Sequence, residues 1–189
     1  MIFENRYKID IHYSDTYTIS STMTNQGKYT FFDAAYGENG FLSVGYNSRI
    51  RTDSNTYSNA AGYIVHSANR IVFRDELGDD MVDMDVLKVD MDFVTARFPS
   101  LENEIEWAQP SKTVCYVANI YKFDQNRRLL DMLLATGESV IVFANENNFG
   151  AGIGFSIDDA MDNVPDWGDN MLGKILMNLR TLYKAEMQT

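Results

Sequence analysis

The fourteen residues "WGDNMLGKILMNLR" (167–180) gather the chain's most suggestive polar groups. The second half is an amphipathic helix. The first half crowds a tryptophan, a glycine, an aspartate and an asparagine at its start. A helix start offers free amide donors and a partial positive charge. Such a terminus suits a phosphate or a ribose hydroxyl. Other reactive types are sparse. Cys115 is the single cysteine, and neither His12 nor His66 is near it in sequence. A nucleophilic thiol wants a neighbouring base, so Cys115 reads as a buried small hydrophobe within a helix. Two histidines and one cysteine, widely scattered, do not supply zinc-ligand spacing, and no metal is expected. The acidic run "ELGDDMVDMDVLKVDMDF" (76–93) lacks the central glycine and terminal glutamate of a calcium loop and reads as a solvated face.

The elements that must position these groups follow from periodicity. "YKIDIHY" (7–13) alternates cleanly as a half-wet strand, and "TYTIS" (16–20) is its candidate hairpin partner. His12 is then a surface strand residue. "YTFF" (29–32) suggests another strand. "YGENGFLSVGYNS" (36–48) reads as loop, and "SRIRTDSNTYS" (48–58) as two short strands joined at Asp53-Ser54-Asn55. Ser58 is a candidate cap for a helix through "NAAGYIVHSANRIVF", in which Gly62 costs about 1 kcal/mol relative to alanine and suggests close packing. A helix is predicted over 111–123, with Pro110 at its first turn. Asp124 is the candidate cap of a second helix, "QNRRLLDMLLAT", which stops at Gly137. "SVIVFAN" (139–145) is an apolar strand, followed by the Gly-rich "ENNFGAGIGF". The last helix starts near Asp169, with Leu172, Ile175, Leu176, Leu179 and Tyr183 on one face. Helices outnumber strands without regular alternation, which gives an α+β class, mainly helical with small β elements.

At 189 residues the chain is one domain by default. Its net charge of −11 argues against a nucleic-acid or anionic-membrane surface. The amino-terminal segment carries charges throughout and lacks the apolar core of a signal peptide, and no window approaches a membrane span. With one cysteine, no internal disulfide forms, which fits a reducing, cytoplasmic setting. A small, acidic, Asn- and Tyr-rich chain of this kind also has a phage-like composition.

Several stretches, in order and spacing, resemble the NADAR family of small α+β proteins. At the carboxy end these are Trp167, Gly168, Asn170, Leu172, Gly173, Leu176, Met177 and Arg180. In the middle they are Trp107, "KFDQN" (122–126) and "LLATG" (133–137). Earlier, "YGENGFLS" (36–43) and "TYSNAAGYI" (56–64) match more loosely. The resemblance runs from about Tyr29 to about Lys184. It implies a NADAR-like domain over 29–186, with residues 1–28 a strand-rich extension. It implies N-glycosidic bond hydrolysis as the family's chemistry, on riboflavin-pathway intermediates or ADP-ribosylated guanine in nucleic acid, without a cofactor. It also implies a nucleotide-ribose pocket formed here by Trp107, Lys122, Asn126, Phe149, Gly150, Gly152, Trp167 and Asn170. Trp107 and Trp167 would stack on a base. Read from residue type alone they are core rings, and Lys122 is a member of a structural ion pair.

The pattern departs where an acid is needed. Scission of an N-glycoside passes through an oxocarbenium-like sugar, which wants an anionic side chain to stabilise it or to activate water. The family's glutamate aligns with Ala61 and its later lysine with Ala68. The early-loop Ser-Asn-Phe aligns with Ser43, Val44 and Gly45. "VIVFAN" lacks the strand's glutamate, and "ENNFG" replaces an Asp-x-x-Trp-Gly. The expectation is a binding protein that holds an ADP-ribose-type or NAD-derived nucleotide and sequesters it without efficient turnover. The alternatives are an active N-glycosidase with a relocated acid (Glu146, Glu38 or Asp169) and an oligomeric interaction protein that pairs through its amino-terminal strands.

Overall fold

The computed structural model describes residues 28–72, 101–146 and 151–188. The strands read over 7–20 and the acidic run 76–93 lie outside these residues. Four strands and five α-helices are described, besides two short 3-10 turns: β1 (Tyr29–Phe32), β2 (Ile50–Arg51), β3 (Thr56–Tyr57), α1 (Ala60–Val72), α2 (Leu101–Asp124), α3 (Arg127–Ala135), β4 (Val140–Phe143), α4 (Ile157–Ala160) and α5 (Met171–Glu186). The class is α+β, mainly helical, as the uneven alternation of elements implies.

β1 and β4 pair in parallel, Tyr29 opposite Val140 and Phe32 opposite Phe143. β2 and β3 form a separate antiparallel ribbon whose turn falls at Asp53-Ser54-Asn55. Two-stranded sheets do not stand alone in water. α5 packs on β4, and α1 packs on α2. The stripe Leu172, Ile175, Leu176, Leu179 and Tyr183 is fully buried against β4 and the long helix α2. Each such side chain removed from water contributes roughly 1.5–3 kcal/mol.

Three local details differ from the expectation. α2 begins at Leu101, so Pro110 sits inside the helix rather than at its first turn. A proline there leaves one carbonyl without its helical donor. The Ser111 hydroxyl donates to the Ala108 carbonyl one turn back (2.9 Å), adding a side-chain bond beside the interruption. The start of α1 is held by Asn59, whose Oδ1 accepts from the Gly62 amide (2.9 Å), and not by Ser58. Asp124 does not cap α3. Asn126 takes that position, and Asp124 accepts from the Tyr183 hydroxyl (2.7 Å).

Candidate functional site

Three segments meet where the family resemblance places its acid. The loop 43–45 is tied to the start of α1, because the Ala61 amide donates to the Val44 carbonyl (3.0 Å). Asn59 Nδ2 adds a bond to the Gly45 carbonyl (3.4 Å). α2 lies against both, and from it Lys122 Nζ donates to the Ser43 carbonyl (2.7 Å). Ala61, Ala68 and Val44 are all buried in the main apolar core. Lys122 is buried as completely, at 0 % exposure. Burial alone lowers its ammonium from the ordinary lysine range to about 7.

No carboxylate among the described residues pairs with Lys122. Its contacts are the Ser43 carbonyl and the Phe123 ring, 5.1 Å from the ammonium to the centroid. The ion pair considered for it is replaced by a hydrogen bond to main chain. One helical turn before it, Asn119 is also fully buried. Its Nδ2 donates to the Cys115 carbonyl (2.8 Å), and its Oδ1 has no hydrogen-bond partner among the described residues. Buried polar atoms are nearly always satisfied, so this acceptor marks the interior beside Lys122 as chemically unusual. Trp107, more than three turns further back on α2, is 2 % exposed and part of the same core. Cys115 is buried too, and burial pushes its thiol up to about 12, out of the nucleophilic range.

The second group surrounds the end of β4. Asn170 precedes α5 in the left-handed conformation, with φ of +48°. Its side-chain amide docks on the outer edge of β4. Oδ1 accepts from the Phe143 amide (3.0 Å) and Nδ2 donates to the Ile141 carbonyl (2.9 Å). One side chain thus imitates a neighbouring strand. Gly173 makes this possible, since a Cβ there would meet the Ile141 carbonyl oxygen at 2.2 Å. Three amides around this helix start are used within the chain. Asn170 N–H donates to Gly152 (3.0 Å), Leu172 N–H to Ala151 (3.0 Å) and Gly168 N–H to Ile153 (2.9 Å). Trp167 donates its indole N–H to the Ala160 carbonyl (2.7 Å). Its ring stands edge-on to Tyr29 and Phe31, at 5.7 and 6.1 Å between centroids. The large ring and the polar residues at this helix start therefore lock α5 to the sheet.

Trp107 and Lys122 share α2 but stand about 22 Å apart along it, so the structure does not bring them together. Gly152, Trp167 and Asn170 do meet at β4. Trp107 belongs to the main core and Trp167 to a smaller cluster with Val142 and Ile153. Asn126 meets Lys122 alone, through its Nδ2, which donates to the Lys122 carbonyl (2.7 Å) and closes α2. Phe149 and Gly150 lie outside the described residues. Glu146 is exposed just past β4, and Asp169 is exposed beside Asn170.

A separate cleft of about 860 Å³ opens along β1. Glu38 lines it together with Asp33, Tyr36, Met132 and Ile157, and none of the pocket residues named from the sequence does so. The signal for it lay in "YGENGF", whose turns read only as loop.

The comparisons with known proteins show both a family and a fold. The NADAR domain model matches residues 22–183. A curated relative, N-glycosidase R617 of Acanthamoeba polyphaga mimivirus, is 37 % identical over 81 residues, which are 41 % of this chain and 47 % of the relative. The chain thus spans about half the length of that protein. The solution structure of the E. coli protein YbiA matches with a TM-score of 0.66 over 87 % of this chain and 90 % of its own, at 22 % identity. That likeness shows a common fold. With a domain model covering well over half its length, this chain belongs to the NADAR family.

Proposed function

We propose that this chain is a NADAR-fold binding protein for an ADP-ribose-type or NAD-derived nucleotide, which it sequesters without efficient turnover. One observation carries the reading. At the junction of loop 43–45, α1 and α2, the side chain at the family's acid position is the buried methyl group of Ala61, and Lys122 beside that loop is bound to a main-chain carbonyl with no carboxylate among the described residues. An oxocarbenium-like transition state needs a negative group within reach, and removing a positioned acid or base typically costs ~10²–10⁴-fold in rate. The polar side chains at this junction supply no negative charge to meet a cationic transition state.

Calorimetric titration with ADP-ribose and with NAD tests binding, and chromatography of the same mixtures tests release of free base. Binding without release is expected. Absence of binding to both refutes the proposal, and rapid release of base refutes its inert half.

The mimivirus relative's name favours a second reading, in which N-glycosidase chemistry survives through a relocated acid. Glu146 is the best placed, exposed just beyond the carboxyl end of the parallel strand β4, where open sheets commonly build their sites. Turnover abolished by Glu146→Gln would establish it.

A further inference from the structure

The sheet formed by β1 and β4 has two outer edges, and they are treated differently. The β4 edge is closed by the Asn170 amide and by α5. The β1 edge faces the 860 Å³ cleft. Val140 and Ala144 donate to the carbonyls of Lys28 and Phe32 (2.7 and 2.8 Å), so these groups of β1 point toward β4. Main-chain groups alternate in direction along a strand. Those of Tyr29 and Phe31 therefore point into the cleft. The Asn39 side chain confirms this by donating to the Phe31 carbonyl from that side (3.0 Å). No further strand pairs with β1 among the described residues.

The cleft has walls on both faces of the strand. Met132 and Ala135 of α3 line it on one side, and Ile157 at the start of α4 contributes on the other. A strand entering here would place alternate side chains against two apolar walls. Tyr36 and Ile157, two of the few large apolar side chains left exposed in the described residues, at 66 % and 40 %, both belong to this cleft. Its charged lining residues are Asp33 and Glu38, and no lysine or arginine lines it.

We propose that the β1 edge is a docking slot for an extended, basic segment of a partner protein, which adds as a further strand beside β1. Main-chain pairing to Tyr29 and to the Phe31 amide supplies the attachment, the incoming strand taking the place of the Asn39 side chain at the Phe31 carbonyl, and Asp33 and Glu38 select for lysine or arginine in the partner. β1 offers about 13 Å of edge at ~3.3 Å per residue, enough for a short linear segment. The net charge of −11 sets a second copy of this chain at an electrostatic disadvantage.

The test uses the full chain and three synthetic peptides: KVTVKV, its charge-reversed form EVTVEV, and KVTVKV methylated at alternate backbone nitrogens. Amide spectra of the isotope-labelled protein report where each binds. The lysine peptide is expected to shift the amides of 29–33 and 37–41. The glutamate peptide should bind about tenfold more weakly, the value of two exposed charge contacts. The methylated peptide should lose binding, because it cannot pair along its edge. Doubly substituted Asp33→Lys, Glu38→Lys protein should reverse the charge preference. The proposal fails if the lysine peptide shifts other residues or none, or if methylation leaves affinity unchanged. It also fails if the Tyr29 and Phe31 amides of the free chain are already protected from hydrogen exchange, or if sedimentation shows a dimer that covers them.

Discussion

Lys122 should make this protein more stable at pH 9 than at pH 7. Burial lowers its ammonium from 10.5 to about 7 in the folded chain, while the unfolded chain exposes it and keeps the ordinary value. Between those two values the unfolded state holds a proton that the folded state has released. Stability therefore rises with pH across this window and is lost as pH falls toward 7. The limiting slope is about 1.4 kcal/mol per pH unit. Allowing for partial titration near 7, the gain from pH 7 to pH 9 is about 2 kcal/mol. The hydrogen bond to the Ser43 carbonyl does not cancel this, because a neutral amine still donates. Above pH 10 the sign reverses. Tyr57, Tyr63, Tyr116 and Tyr121 are all raised by burial, so the folded state resists losing their protons and stability falls. Urea denaturation at half-unit intervals from pH 7 to 9 measures the slope. Lys122→Met is the control. It forfeits the bond to Ser43, at a cost of about 1–3 kcal/mol, but its stability should not vary with pH over the same interval. A flat wild-type profile, or an equal slope in the methionine variant, would refute the assignment of a desolvated ammonium to this position.

Other substitutions probe the joint between β4 and α5. Asn170→Ala removes two buried hydrogen bonds to Ile141 and Phe143 and should cost about 2–4 kcal/mol in urea denaturation. Gly173→Ala drives a methyl group into the Ile141 carbonyl and should lower the melting temperature by at least as much as Asn170→Ala does. Gly62→Ala acts in the opposite direction. A Cβ there would touch Tyr57 at an ordinary 3.6 Å, so the exchange should stabilise by about 0.4–1 kcal/mol, read as a rise in melting temperature.

Where one face of an element is buried, its periodicity was visible in the residues. The α5 stripe, the strand at 29–32 and the hairpin of β2 and β3 all stand where patterning placed them. Gly62 was a partial reading: the glycine weakens its helix, but the expected crowding is absent. The ten residues before Ser111 were harder, because a proline argues for a helix start even where tertiary packing carries the helix through it. The caps shifted by one or two residues, since Ser58, Asn59, Asp124 and Asn126 are all competent acceptors and only geometry chooses among them. The parallel pairing of β1 with β4 leaves no local mark on either strand. The motif around Trp167 and Asn170 was conspicuous from the start. Its physical task was not, because an asparagine that completes a sheet and one that holds a ribose are the same letter. The cleft along β1 was hidden for a similar reason: glycines and asparagines announce a turn but not the hollow beside it.

The partners in the small parallel sheet are separated by more than a hundred positions, Tyr29 meeting Val140. During synthesis the first strand must leave the ribosome and wait for its mate. The mate's far border then waits again for Asn170. Contacts that close such long loops form slowly. Assembly of this sheet is therefore tied to synthesis of the chain past Asn170, and nascent chains halted before that residue should remain digestible by protease at Phe31 and Phe32.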